Sequence, residues 1–447
     1  MAKKLKYLIT FILLLAALHR PALSAVRPVV EIEQRVTNFE YAGNGSGPAW
    51  GGGLPIIIRQ DGDVYIAVAS ANKDVPPLCN TQWQIWHHTE KGWKLVQHEN
   101  GFRQREPCPL AVFHDGPIFL SVNPSLEPPG VYYGRCKPMV LEFNPSDWTS
   151  SPKVQEPAWA NGAYFNDHSY RGFCADGPKG ELFLININAE TKEQFATYRD
   201  SKGKWHEKGK IKYPERNCYL QLFLRNSSAH IFSVSDIREP NKKWAEAKGL
   251  ANWVFRNVYY AYTPDIKSKD FITPVKIDSV DDTAGSMFPL DIYVDDSNAV
   301  HLLYMKSPYK DSKVRREFFP DKKPSTSIEY ININDGKITS RLTLIKKISH
   351  THGDLYGRFH VNGKRQLYVI TSINKDKTTN SKIRGNYIAQ IYPGMTKPEF
   401  VSIETEYPFG KFFTNTIRGG SKPSDIIDIM FTRGREIRYA RIHLKMP

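Results

Sequence analysis

Cysteine is scarce in this sequence, and the usual metal and nucleophile signatures are missing. Its 447 residues include five cysteines. There is no CxxC pair, no HExxH, no GxSxG and no glycine-rich phosphate loop. The segments "DDSNAV" and "VDDTAG" are too short to match a calcium loop. Helical periodicity is nearly absent, and beyond the N-terminus no apolar run approaches membrane length. No basic helix, zinc knuckle or aromatic RNA-binding signature appears, so a nucleic-acid partner is not expected.

What is present begins with a targeting segment. "MAKKLK" is basic, "YLITFILLLAAL" is apolar throughout, and "PALSA" ends in small residues. Residues 1–25 therefore read as a cleavable secretory signal, and the mature chain as secreted or periplasmic, with no membrane insertion. In that compartment cysteines can pair. Cys79, Cys108 and Cys136 lie in corresponding loop regions of successive segments, and a disulfide among them is the expectation. A structural zinc on these three with a histidine such as His114 is the alternative; no other cofactor is expected. The formal charge of +15 directs the protein towards anionic partners, among which acidic polysaccharide fits best.

Alternating strands organise the rest. A strand, a turn with Gly, Asp or Asn, and a second strand recur as "GGLPIIIRQDGDVYIAVAS", "CPLAVFHDGPIFLSVN", "YRGFCADGPKGELFLININ", "CYLQLFLRNSSAHIFSVSD", "PLDIYVDDSNAVHLLYM", "LYGRFHVNGKRQLYVITS" and "SDIIDIMFTRGREIRYARI". The spacing of about 50 to 70 residues is a little above the usual blade period of a β-propeller. The expected fold is all-β: a seven-bladed propeller forming a single domain over residues 26–447, most simply a monomer. Little chain follows the last hairpin, so Val29–Val36 is expected to supply its outer strand and close the ring.

This topology predicts one functional rim, formed by the starts of the innermost strands. It would collect Arg105 and Glu106, then His168, Tyr170 and Arg171, then Arg216 and Tyr219. His352, Tyr356 and Arg358 follow, with Arg418 from the last blade. Two basic insertions open onto the same face. Lys306–Lys323 has seven basic and three acidic residues, with Arg315 and Arg316 at its centre, and 374–384 has four basic and one acidic. A third, "DIREPNKKWAEAKGLANW", is mixed and should hold a short helix. The rim is rich in His, Tyr, Arg and Asn but poor in the paired carboxylates that glycoside hydrolysis needs.

The layout resembles the sialidase-like (BNR-type) propellers, and "NDHSYRGFCADGPKGELFLI" looks like the blade in which propeller polysaccharide lyases such as the ulvan lyases carry a catalytic histidine. The hairpin "YRDSKGKW" is similar to an Asp-box turn with one extra residue. The resemblance implies a catalytic role for His168. The family's second histidine falls near Asn188, where this sequence has none. Its tyrosine and charge-neutralising arginine fall on Tyr213 or Tyr219 and on Arg216 or Arg238. The reaction class implied is β-elimination in an anionic, uronate-containing glycan, with or without sulfate. The topology makes Arg105, Tyr170, Arg171, Arg238, Arg315, Arg316, His352, Tyr356, Arg358 and Arg418 the residues expected to bind the polymer. A non-catalytic propeller binding glycan or protein, and a sialidase-like hydrolase, are the alternatives.

Overall fold

The computed structural model describes residues 26–131, 134–166, 170–188, 191, 193–249, 253–348, 355–373, 385–394 and 397–445. The proposed signal, His168, His352 and the 374–384 insertion lie outside them. Seven four-stranded antiparallel sheets make the blades, numbered I to VII here. Their innermost strands are Ile57–Gln60, Leu110–Val112, Gly172–Asp176, Asn217–Arg225, Ser286–Val294, Leu355–Val361 and Phe412–Thr414. The protein is a seven-bladed β-propeller.

Burial follows the radius. In blade III every residue of Gly172–Asp176 and of the next strand, Glu181–Ile187, is buried, whereas the outermost strand, Trp205–Ile211, is mostly accessible. Neighbouring blades cover both faces of the inner strands, so residues such as Phe173, Phe183 and Leu184 pack on either side. Each such side chain contributes about 1.5–3 kcal/mol by leaving water.

The ring closes as expected. Arg27–Asn38 pairs antiparallel with Glu436–Lys445, for example Gln34 opposite Tyr439. Asp428, fully buried in blade VII, ties this seam to blade I by accepting from Arg59 Nε at 2.6 Å and Nη2 at 2.9 Å. The hairpin "SDIIDIMFTRGREIRYARI" proves to be the second and third strands of its blade, not the first two.

The axis is stoppered from both ends. On one face the run Gly51–Gly53 crosses the ring. A Cβ on Gly53 would lie 2.6 Å from Leu220 O of blade IV, so only glycine allows the approach. From the other face the connection 415–425 of blade VII reaches inwards, with Gly420 at φ +92° where a Cβ would run into Val112 O. The two stoppers meet where Arg418 Nη1 donates to Gly53 O.

Among the described residues two short α-helices interrupt the β pattern. Helix α1, Lys242–Lys248, lies in the blade IV insertion where the sequence implied one, with Asn241 Oδ1 accepting from Trp244 N. Helix α2, Ser312–Phe318, lies in the blade V insertion and is capped by Asp311. Trp244 and Phe319 pack at 5.8 Å between them. Glu239, buried in the blade IV insertion, receives Arg256 and Lys248 Nζ, the latter at 2.7 Å.

The cysteine expectation is corrected. All five cysteines are thiols, with no disulfide among them. Cys108 faces Arg171 Nη2 at 3.3 Å, while Cys136 donates to Asn166 O at 2.9 Å. Their different neighbours hold them apart. Nor do Cys79, Cys108, Cys136 and His114 assemble a zinc site: among the described residues no group of three or more potential ligands forms. His114 sits instead at the far end of its innermost strand, with its N–H on Gly177 O.

Candidate functional site

The site is built at the starts of the innermost strands of blades III and IV. Tyr170 and Tyr219 have φ of +46° and +53°, the left-handed region that residues with a side chain seldom enter. Such a conformation costs about 1–3 kcal/mol and persists only where the surroundings impose it. At Tyr219 the pairing register slips between Cys218 and Gln221, and this bulge re-aims the side chain. The rings support one another. Tyr170 stacks on Trp50 at 5.5 Å and meets Tyr219 edge-on at 5.3 Å, and Tyr219 packs on Phe288 at 4.9 Å. Burial is the main force raising both phenol pKa values well above the ordinary range, so both remain protonated donors.

Arginine meets this aromatic cluster in a fixed pose. Arg216 Nη1 lies 3.0 Å from Asp236 Oδ2. Its guanidinium stands 5.2 Å from the centres of both the Tyr170 and the Trp253 rings, and its Nε is buried without a hydrogen-bond partner. Arg238 is exposed and lies 5.7 Å from the same Trp253 ring. Arg171 turns back to blade II, where Nη2 donates to Pro107 O at 2.9 Å and Glu106 O at 3.3 Å. Its Nε and Nη1 are buried without hydrogen-bond partners. A carboxylate-anchored guanidinium beside one protonated phenol, with a second phenol packed on the first, can neutralise an anionic group and donate a proton to an oxygen near it.

The other expected residues separate. Tyr213 is packed inside, 5.8 Å from Tyr259, which leaves Tyr219 as the tyrosine on the face. Asn188 is buried at the end of its strand, where its Oδ1 accepts from Thr191 N at 3.2 Å. Arg105 is half-buried on the blade II approach, beside buried Glu106. Arg315 is half-buried on helix α2 with Nη1 donating to Lys322 O, and Arg316 is exposed.

Three residues expected on the rim belong instead to the axis. Tyr356 is buried and donates to Gly52 O at 3.3 Å. Arg358 spends its donors on Leu290 O, Phe412 O and the Tyr356 hydroxyl. Arg418 enters from the opposite face, with Nε 2.8 Å from Asp291 Oδ1. Their guanidiniums hold the stoppers and blades together, because burial leaves them only internal acceptors.

Sequence reasoning missed Trp50, Asp236 and Trp253. The first had a signal, a tryptophan directly before a glycine triplet. The other two flank an insertion whose fold, not its composition, brings them back to Arg216.

No protein-family model matches the chain, and no curated protein matches it. Among solved structures, the polysaccharide lyase Uly1 superposes with a TM-score of 0.52 at 12% identity, covering 93% of this chain and 99% of that one. The chain shares the fold of that lyase. A PL25 ulvan lyase follows with a TM-score of 0.44 at 9% identity, covering 94% of this chain and 85% of that one. An α-L-arabinanase of Penicillium chrysogenum has a TM-score of 0.45 at 10% identity, covering 93% and 98%. The structural neighbours thus include polysaccharide lyases and arabinose-acting glycoside hydrolases, and what they share with this chain is the propeller.

Proposed function

We propose that the protein is a polysaccharide lyase that cleaves an anionic, uronate-containing glycan by β-elimination on the face carrying Tyr170, Arg216 and Tyr219. The observation that carries this reading is the Tyr170 ring, its phenol protonated, 5.2 Å from an aspartate-anchored guanidinium, with Tyr219 meeting that ring edge-on at 5.3 Å. Arg216 neutralises the C6 carboxylate, which makes the C5 proton acidic. His168 takes that proton, the C4–O bond breaks as the C4–C5 double bond forms, and Tyr219 protonates the departing oxygen. Solvent then carries the proton from the imidazolium back to the phenolate. The basic blade V insertion receives flanking sugars. Export, read from residues 1–25, brings the enzyme to extracellular polymer. The polysaccharide lyases among its structural neighbours agree with this reading.

The test is incubation with a panel of acidic polysaccharides, reading the ultraviolet absorbance of unsaturated uronate ends. Replacing His168 by Ala should slow elimination by about 10²–10⁴-fold, the usual share of a general acid–base group, while melting temperature and glycan binding hold. A destabilised His168→Ala protein with full residual activity returns this histidine to architecture. A wild-type protein that binds these polymers yet releases no unsaturated ends overturns the lyase in favour of a glycan-binding propeller.

A further inference from the structure

Trp253 is the most exposed tryptophan among the described residues, with 51% of its surface accessible. A single exposed aromatic is ordinary on a protein surface. This one is held in place by a built setting. It stands on a two-stranded ribbon in which Ile237 pairs with Val254 and Arg238 with Trp253. Cross-strand partners project to the same side, and residues two apart on a strand do likewise. Arg238 and Trp253 therefore share one side, and Arg216, held by Asp236 at 3.0 Å, stands 5.2 Å from the centre of the same indole. The base of the ribbon is fastened: Val254 is buried, and Arg256 is locked between Glu239 and Gly285 O.

We infer that Trp253 is the stacking platform of a subsite for a negatively charged pyranose, with Arg216 and Arg238 gripping its carboxylate or sulfate. The inference rests on the lyase reading for its choice of polymer. Three observations support it. An indole face takes the C–H face of a sugar ring. Guanidiniums beside that face suit planar or tetrahedral oxyanions, which they bind through paired N–H donors. Helix α2 of the blade V insertion, with exposed Lys313 and Arg316, packs on helix α1 of the blade IV insertion that carries Trp253. Trp253 thus acts as a specificity residue: it selects a sugar with an anionic substituent over a neutral one, and takes no part in proton transfer.

The experiment is affinity electrophoresis through gels holding chondroitin sulfate, polygalacturonate or neutral dextran, with elimination assayed in parallel. Wild-type protein should be retarded by at least one of the acidic polymers and not by dextran. Trp253→Ala should weaken that binding about tenfold, as expected for loss of an aromatic anchor, with an unchanged melting temperature. Trp253→Phe should recover most of it, and Arg238→Gln should reduce the salt dependence. Where elimination is measurable, Trp253→Ala should raise KM and leave kcat nearly unchanged. Retardation lost in Trp253→Ala without any elimination by the wild type keeps the platform and removes the lyase. Elimination with unaltered binding and KM in Trp253→Ala removes the platform and keeps the lyase. Wild-type protein retarded by no acidic polymer, or one whose retardation is better competed by a single-stranded oligonucleotide than by uronate oligosaccharides, overturns the subsite.

Discussion

Arg418 and Arg216 are both buried arginines salt-bridged to an aspartate, yet they serve opposite ends. The side chains of Arg418 and Asp291 are 1% and 2% exposed, and the guanidinium also reaches Gly53 O. Those of Arg216 and Asp236 are 11% and 5% exposed, with aromatic rings against the guanidinium and a bare Nε. The first is sealed between two stoppers and acts as a rivet. The second is anchored at one corner against aromatic rings, and on the proposed reading it borders the glycan-binding face. Residue type and an aspartate partner do not separate these roles. What separates them is whether the arginine's donors are consumed by backbone carbonyls.

The sharpest way to break this comparison is to remove the rivet. Arg418→Ala strands Asp291 in the core, and loss of one partner of a buried pair costs about 3–5 kcal/mol, measurable by chemical denaturation. A loss near that of an exposed site would show that Arg418 is not structural. Next, Arg216→Lys keeps a charge beside Asp236 but loses the planar fork. Stability should stay within about 1 kcal/mol while chondroitin sulfate or polygalacturonate binding falls roughly tenfold. Equal binding by the two proteins would erase the distinction drawn above.

Smaller effects sharpen it further. Neutralising Lys313, Arg315 and Arg316 together should weaken polyanion binding modestly and flatten its dependence on salt, since exposed charges act through screened fields. An equally steep salt dependence would take helix α2 out of the binding face. The smallest effect concerns the axial stopper. His360 Nε2 lies 2.7 Å from Ser424 O, and burial pushes its pKa from 6.5 down to about 4. Because the folded pKa is depressed, this contribution is intact above pH about 6.5 and is lost as pH falls towards about 4. His360→Gln should make the stability profile shallower across that window. A profile of unchanged slope would mean that other groups, such as the buried His230, govern the acid side.

Much of this organisation was legible in the sequence. Alternating strands and turns at a steady interval identified seven blades, and the outer strand missing from the last one identified its N-terminal substitute. The placement of Arg418 failed for a physical reason. The innermost strand of blade VII is only Phe412–Thr414, too short to carry a period-two signal, so the longer second and third strands were taken for the first pair. Tyr219 was found because it begins a recognisable strand. Trp253 was not, since it joins the site through an insertion folding back on itself, which no periodicity records. The cysteine expectation assumed that equivalent loops stay close, but adjacent blades hold those loops against different neighbours.

Ring closure also sets an order of events in time. Arg27–Asn38 leaves the ribosome about 400 residues before its partner Glu436–Lys445. Through most of chain elongation this long strand has an open edge, the kind that recruits wrong partners and aggregates. Its sequence carries its own guard: Arg27, Glu31, Glu33 and Arg35 punctuate the apolar residues with charges of both signs. The final pairing joins residues from opposite ends of the chain, a contact that folds slowly because so much must be ordered first. A polypeptide broken off before Glu436 would therefore lose more than one strand, since Arg27–Asn38 would have nothing to fasten to.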